Sequence, residues 1–256
     1  MEHKNYINID YSDRGAKIYR IMTVDRLLDM FETKTNVLVK PCLWDDPFEN
    51  FLFNTPMVHK NGTEYVSILR DRAYGQCWSL NVESDAMWRI YAPEKNGVKI
   101  QTTISSLYNS LYQGTARYPR ISCFIGKVDY HPKSKLTALA KQVRDNGKSK
   151  GGSHYQAKSL LMKRVAFKHE DEVRLIYLDP NNIADQKIHK YKFDPMSHIK
   201  SMTFDPRMGE SLYRVYKKHI ESLGFSGKFD LFRWAGWLWQ LGKIFREKRK
   251  SASTLG

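Results

Sequence analysis

An α+β domain with a mixed or antiparallel, split central sheet and peripheral helices is the fold class that three observations predict. Apolar stretches with strand-like alternation take turns with stretches of helical spacing along most of the 256 residues. That length suits one hydrophobic core rather than several, since single cores stop growing at roughly 250–300 residues. The composition, 41% hydrophobic with 13% aromatic residues, supplies enough apolar surface to fill that core and excludes a disordered chain. The predicted division is one α+β domain over residues 1–228 and an aromatic, basic C-terminal amphipathic helix and tail over 229–256.

The elements follow in order. Lys17 to Met22 reads as a strand, and Thr23 is placed to cap a helix whose Leu27, Leu28 and Phe31 recur at helical spacing. Val37 to Val39 is a short strand. Pro41 and the run Trp44-Asp45-Asp46-Pro47-Phe48-Glu49-Asn50 then break regular structure. Gln76 to Leu80 suits a strand. Ser84 and Asp85 can cap a helix carrying Met87, Trp88, Ile90 and Tyr91, closed by Pro93 and followed by a strand from Gly97 to Thr103. Leu107, Tyr108 and Leu111 mark the next helix, Ile121 to Tyr130 a strand, and Glu172 to Tyr177 another. Ile199 to Phe204 leads into a helix from about Arg207 to Leu223. Phe229 to Lys250 combines Trp234, Trp237 and Trp239 with Lys243, Arg246, Lys248, Arg249 and Lys250. This amphipathic helix would either pack its aromatic face on the domain or lie at a membrane surface.

Charge and motif content narrow the function classes. Lys and Arg exceed Asp and Glu by 42 to 27, a net +15 that favours anionic partners such as nucleic acid. Residues 133–168 hold ten basic residues against Asp145 alone, around a Gly/Ser-rich centre, so Lys148, Lys150, Lys158, Lys163 and Arg164 are predicted to form an anion-binding surface. Three scattered cysteines argue against a disulfide framework and for a reducing compartment, and the polar start after Met1 fits a cytoplasmic protein, with peripheral membrane contact left to the C-terminal helix. No Walker or dinucleotide glycine loop, HExxH or GxSxG occurs, and the eight histidines have no metal-ligand spacing.

Three clusters remain as candidate chemistry. Tyr19-Arg20 on the first strand places a guanidinium where it would need either an anionic ligand or a structural ion pair. Trp78-Ser79 with Trp88 and Tyr91 could form an aromatic wall for a planar ring or serve as core. Glu170, Glu172 and Arg174 would share one side of a strand, either converging two carboxylates and a cation or forming a solvated cross-strand salt bridge.

Read in order, Trp44-Asp45-Asp46-Pro47-Phe48-Glu49, Cys77-Trp78-Ser79, Met87-Trp88-Arg89-Ile90-Tyr91, Gly97-Val98-Lys99-Ile100, Val128-Asp129-Tyr130, Lys163 and Glu170-Asp171-Glu172-Val173-Arg174 resemble one bacterial family. It is the domain-of-unknown-function family 2971, and the likeness spans about residues 17–228. Its pattern has Asn where Asp45 stands and Phe where Trp78 stands.

A second resemblance, of layout only, is to ADP-ribosyltransferases, enzymes that cleave NAD and modify an acceptor, in some cases as toxins or in phage defence. It implies that Arg20, with Tyr19, binds NAD as substrate and that Ser79 supports the ribose or pyrophosphate. Glu172 would be the main catalytic carboxylate, Glu170 its acceptor-side partner, and Trp88 or Tyr91 a stacking surface for nicotinamide. Two non-catalytic functions compete with this one: a nucleic-acid-binding effector using residues 133–168, and a membrane-surface protein using Trp234, Trp237 and Trp239.

Overall fold

A computed structural model describes residues 4–44, 57–58, 61–65, 72–115, 118–146, 152–181 and 186–230. The predicted motif residues Asp45 to Asn50, together with Lys148, Lys150 and the C-terminal Trp234, Trp237 and Trp239, lie outside them.

The fold is α+β, with a large mixed sheet and helices packed around it. Its strands are β1 (Tyr6–Ile7), β2 (Lys17–Thr23), β3 (Thr35–Val39), β6 (Ala73–Ser79), β7 (Gly97–Thr103), β8 (Cys123–Lys127), β11 (Glu172–Leu178), β12 (Ile188–Lys192), β13 (Ser201–Phe204) and β14 (Lys228–Asp230). Short pairs β4 (Met57–Val58) with β5 (Glu64–Tyr65), and β9 (Asp129–His131) with β10 (Met162–Arg164), stand apart from it. The order across the main sheet is β1-β8-β11-β6-β2-β7-β13-β14, and β3 joins β6 while carrying β12 on its other edge. Only β1–β8 and β13–β14 pair in parallel within this sheet.

The sheet divides at its middle. β2 pairs with β7 over seven residues but touches β6 at a single position, Tyr19 opposite Ser79. β3 meets β6 at Val39 opposite Gly75, near the other end of β6. Between those two bridges β2 diverges from β6 and leaves a wedge. A reciprocal amide pair holds the β3 side of that wedge. Gln76 Nε2 donates to Asn36 Oδ1 at 2.7 Å and Asn36 Nδ2 to Gln76 Oε1 at 3.3 Å, with Trp78 Nε1 donating to the same Gln76 oxygen at 2.7 Å.

Apolar residues fill both faces. The larger cluster includes Ile18, Met22, Leu27, Phe31, Val98, Ile100, Leu107, Leu111, Val173 and Leu175. The smaller one, with Ile7, Phe124, Leu160, Leu161, Ile176 and Leu178, covers the opposite side. Every residue of β11 is therefore buried, as expected for a strand packed on both faces.

Most predicted elements are present, including the helices Val24–Thr33, Asp85–Tyr91, Ile104–Gly114 and Glu210–Ser222. Three expectations need correction. The single strand foreseen over Ile121 to Tyr130 is a helical turn, Pro119–Ser122, followed by β8 and β9. The chain leaves the main sheet at Val128, and Asp129 N–H turns to the Leu161 carbonyl at 2.7 Å. β12 was not foreseen, because Ile188-His189-Lys190-Tyr191-Lys192 buries only Tyr191 and so lacks a strong apolar alternation. The C-terminal helix was expected to begin at Phe229. That residue instead lies in β14 and stacks on Phe204, with ring centroids 6.3 Å apart.

Candidate active site

The wedge opens into a cavity of about 640 Å³. This is within the roughly 300–1,000 Å³ of small-molecule sites. Consecutive residues Tyr19 to Thr23 of β2 and Gly75 to Ser79 of β6 all line it. Side chains alternate between the faces of a strand, so five neighbours in a row can line one cavity only where it passes between two separated strands. The split of the sheet is thus what creates the site.

One wall carries cations without carboxylates. Arg20 is half-buried, and no described residue offers it a hydrogen bond or an ion pair. Arg26, exposed in the first turn of the helix Val24–Thr33, lines the same cavity. Burial lowers the Arg20 guanidinium to about 10; Cys77 opposes that shift and the charge of Arg26 adds to it. A desolvated cation with no partner is costly, and an anion entering the cavity would relieve it.

The other wall carries Lys163, Glu170 and Glu172, with Arg174 bonded behind Glu172. Lys163 Nζ donates to Glu170 Oε2 and to Glu172 Oε1, each at 2.6 Å. Arg174 Nε donates to Glu172 Oε2 at 2.7 Å and its Nη1 to the Leu160 carbonyl at 2.7 Å. All four side chains are almost wholly buried. Glu172 N–H donates to Tyr130 Oη at 2.9 Å, and Ser79 Oγ donates to the Glu170 carbonyl at 2.5 Å.

The two carboxyls hold protons differently. For Glu170, burial first, then the hydrogen-bonded neighbour Glu172, outweigh Lys163 and raise the pKa to about 8. Burial would raise Glu172 as well, but Arg174, the hydrogen bond from Glu170 and Lys163 together outweigh it and bring it down to about 2. Near neutral pH the pair therefore holds one proton, on Glu170, as expected of two carboxyls sharing a site.

The backbone explains how the glutamates meet. They were expected to share a face by strand alternation. Glu172 and Arg174 do so on β11, but Glu170 ends a 3-10 turn, Val165–Glu170. Asp171 between them adopts φ 41°, a left-handed conformation, and this turn, not a strand period, brings Glu170 beside Glu172.

The helix Asp85–Tyr91 presents Met87, Ile90 and Tyr91 to the cavity, at the i, i+3, i+4 spacing of one helical face. Trp88, expected beside Tyr91 in an aromatic wall, does not line the cavity; it is buried in the core and donates from Nε1 to Glu83 Oε1 at 3.1 Å. Tyr19, Arg20, Ser79, Tyr91, Glu170 and Glu172 do line it. Lys163 does not belong to the anion-binding surface where it was expected. It is 4% exposed because it is held between the two carboxylates. Lys158 is exposed, whereas Arg164 is half-buried with its guanidinium 5.0 Å from the Phe167 ring centre.

Sequence reasoning missed Trp44 as a wall of the site. Its ring lies 4.5 Å from the Arg174 guanidinium and rests over Gly75, where a Cβ would come within 2.6 Å of it. The sequence signal for Trp44 was its place at the start of the Trp44 to Glu49 motif run. Among the described residues no group of His, Cys, Asp and Glu is arranged to hold a metal ion, and no helix is long and apolar enough to cross a membrane.

Residues 87–175 match the family described as protein of unknown function (DUF2971). The match runs from the helix Asp85–Tyr91 into β11, so it includes Lys163, Glu170, Glu172 and Arg174 but not Arg20. No curated protein matches the chain. Solved structures of Thermus sp. 2.9 DarT in complex with carba-NAD+, with NAD+ and with ADP-ribosylated ssDNA are similar to it at 9%, 8% and 10% identity, with TM-scores of 0.38, 0.39 and 0.37. These alignments cover 86%, 85% and 88% of this chain and 96%, 95% and 96% of the DarT chains. A likeness at that level carries no argument about the chemistry, which rests on the cavity itself.

Proposed function

We propose that the cavity binds NAD as a substrate and transfers its ADP-ribosyl group to an acceptor. The observation that carries this reading is the pairing of opposites across one cavity: a guanidinium without a carboxylate partner, Arg20, on one wall and a buried carboxyl pair, Glu170 and Glu172, on the other. A dinucleotide offers matching chemistry, with an anionic pyrophosphate for Arg20 and a ribosyl–nicotinamide bond whose cleavage develops positive charge on the ribose.

Each residue then has a task. Arg20 holds phosphate oxygens, with Arg26 as a second cation at the cavity edge. Tyr91 supplies an aromatic surface beside the carboxyls. Glu172, kept ionised, faces the anomeric carbon as the glycosidic bond breaks and neutral nicotinamide leaves with the bonding electron pair, and its charge stabilises the oxocarbenium-like ribose. The acceptor's nucleophilic atom bonds to that carbon, and Glu170 in its ionised form takes the proton released. The exposed Lys135, Lys141, Lys158 and Lys168 suit an anionic macromolecule as the acceptor.

Calorimetry with NAD and measurement of released nicotinamide test the reading. The expected results are NAD binding that is lost in Arg20→Ala, and turnover lowered about 10²–10³-fold in Glu172→Gln with binding retained. Absence of NAD binding by the unaltered chain would overturn it. For the acceptor, binding to a nucleic-acid oligomer should weaken linearly in log K against log salt, and no binding at low salt removes nucleic acid from consideration.

A further inference from the structure

Resting on the reading just given, we infer that Lys163 is the positioning residue of the site: it bridges Glu170 and Glu172 and thereby sets where each carboxyl points and eases the ionisation of Glu170. The geometry is specific. A single ammonium on β10 reaches one oxygen of each carboxyl at 2.6 Å, and the two carboxyls come from different backbone elements on either side of Asp171. Arg174 donates from Nε to Glu172.

Lys163 is itself fixed. It is 4% exposed, β10 pairs in parallel with β9 through Lys163 opposite Tyr130, and the Phe167 ring centre lies 4.5 Å from its Nζ. A lysine ammonium is a compact donor with three hydrogens, so it can serve two acceptors at once.

The asymmetry of the pair follows from its surroundings. Among the described residues Glu172 has two cations, Lys163 and Arg174, whereas Glu170 has Lys163 alone. Among the described residues, Tyr91 from the helix Asp85–Tyr91 and Tyr130 from β9 also interact with the carboxyls. Lys163 therefore supplies the positive charge that keeps deprotonation of Glu170 within reach of neutral pH. Without it, Glu170 ionises against the negative charge of Glu172 with no ammonium to offset that charge.

Carboxyl titration by NMR of the chain labelled with ¹³C at Glu Cδ tests this without relying on catalysis. In the unaltered protein one carboxyl titrates near pH 8, and that signal disappears in Glu170→Gln. Lys163→Met moves the Glu170 titration up by more than one pH unit, and Lys163→Arg leaves it closer to the original. Where nicotinamide release is measured, the alkaline rise of the rate shifts by the same amount in Lys163→Met while NAD affinity is kept. A folded Lys163→Met whose Glu170 titrates as before overturns the inference. So does persistence of the near-neutral titration in Glu170→Gln, a result that can be read even if Lys163→Met fails to fold. Failure of NAD binding would instead strike the functional reading, and the titrations would still report on Lys163.

Discussion

The two walls of the cavity treat charge in opposite ways. On the β10–β11 wall, Lys163, Glu170, Glu172 and Arg174 are buried and mutually compensated, whereas on the β2 wall Arg20 meets no counter-charge among the described residues. A compensated buried cluster holds its own geometry and is destabilised when one member is removed. An uncompensated cation contributes nothing to the empty fold and keeps its interaction for a ligand. The cavity thus combines a wall that sets proton positions with a wall that waits for an anion.

Stability measurements on matched substitutions are the strongest way to break this contrast. Arg174→Met leaves Glu172 short of one of its two cations in a fully buried setting, and should cost about 3–5 kcal/mol in denaturant unfolding. Arg20→Met removes a charge with no partner and should leave stability unchanged or raise it, while abolishing NAD binding. Equal losses in the two variants would show that both walls are structural, and the division between them would fall.

The aromatic cover of the compensated wall gives a smaller effect. Gly75→Ala places a methyl within 2.6 Å of the Trp44 ring, and the only relief is to move that ring off β6 and away from the Arg174 guanidinium it faces. Overpacking of this kind costs roughly 1–3 kcal/mol. Trp44 fluorescence can be followed directly by comparing the variant with Gly75→Ala in a Trp44→Phe background. If neither stability nor emission changes, Trp44 is not held over Gly75.

Much of this arrangement was legible in the residues. The strands β2, β3, β6 and β7 and the helices Val24–Thr33 and Asp85–Tyr91 followed from apolar periodicity, whereas the two-residue strands β1, β4 and β5 did not, and Arg20, Ser79, Tyr91, Glu170 and Glu172 were singled out before their shared cavity was visible. What could not be read was anything decided by long-range pairing. Lys163 stands in the family pattern, yet within its lysine- and arginine-rich stretch it was assigned to an exposed anion-binding surface, and the pairing of β10 with β9 buries it. Trp88 and Tyr91 look equivalent at a spacing of three, yet the helix turns Met87, Ile90 and Tyr91 to the cavity and Trp88 to the core. The left-handed turn at Asp171 has no glycine to announce it, so alternation suggested the correct neighbours for the wrong reason.

The gentlest probe of the contrast is pH, because it titrates the compensated wall and spares Arg20. The pKa of Glu170 is raised on folding, from an ordinary carboxylate value of 4.5 to about 8, so the folded state binds a proton that the unfolded chain releases. Its contribution to stability is fully present below pH 4.5 and is lost as pH rises toward 8. Glu172 has the opposite sign: its lowered pKa gives stability that is present above pH 4.5 and lost as pH falls toward 2. The two windows do not overlap. Urea midpoints between pH 5 and 8 should therefore decline in the unaltered protein, by at most about 1.4 kcal/mol per pH unit for one proton, and Glu170→Gln should flatten that decline. Below pH 4.5 the acid sensitivity due to Glu172 should remain in the same variant. A decline between pH 5 and 8 that survives Glu170→Gln would assign the proton to another group and dissolve the distinction between the two carboxyls.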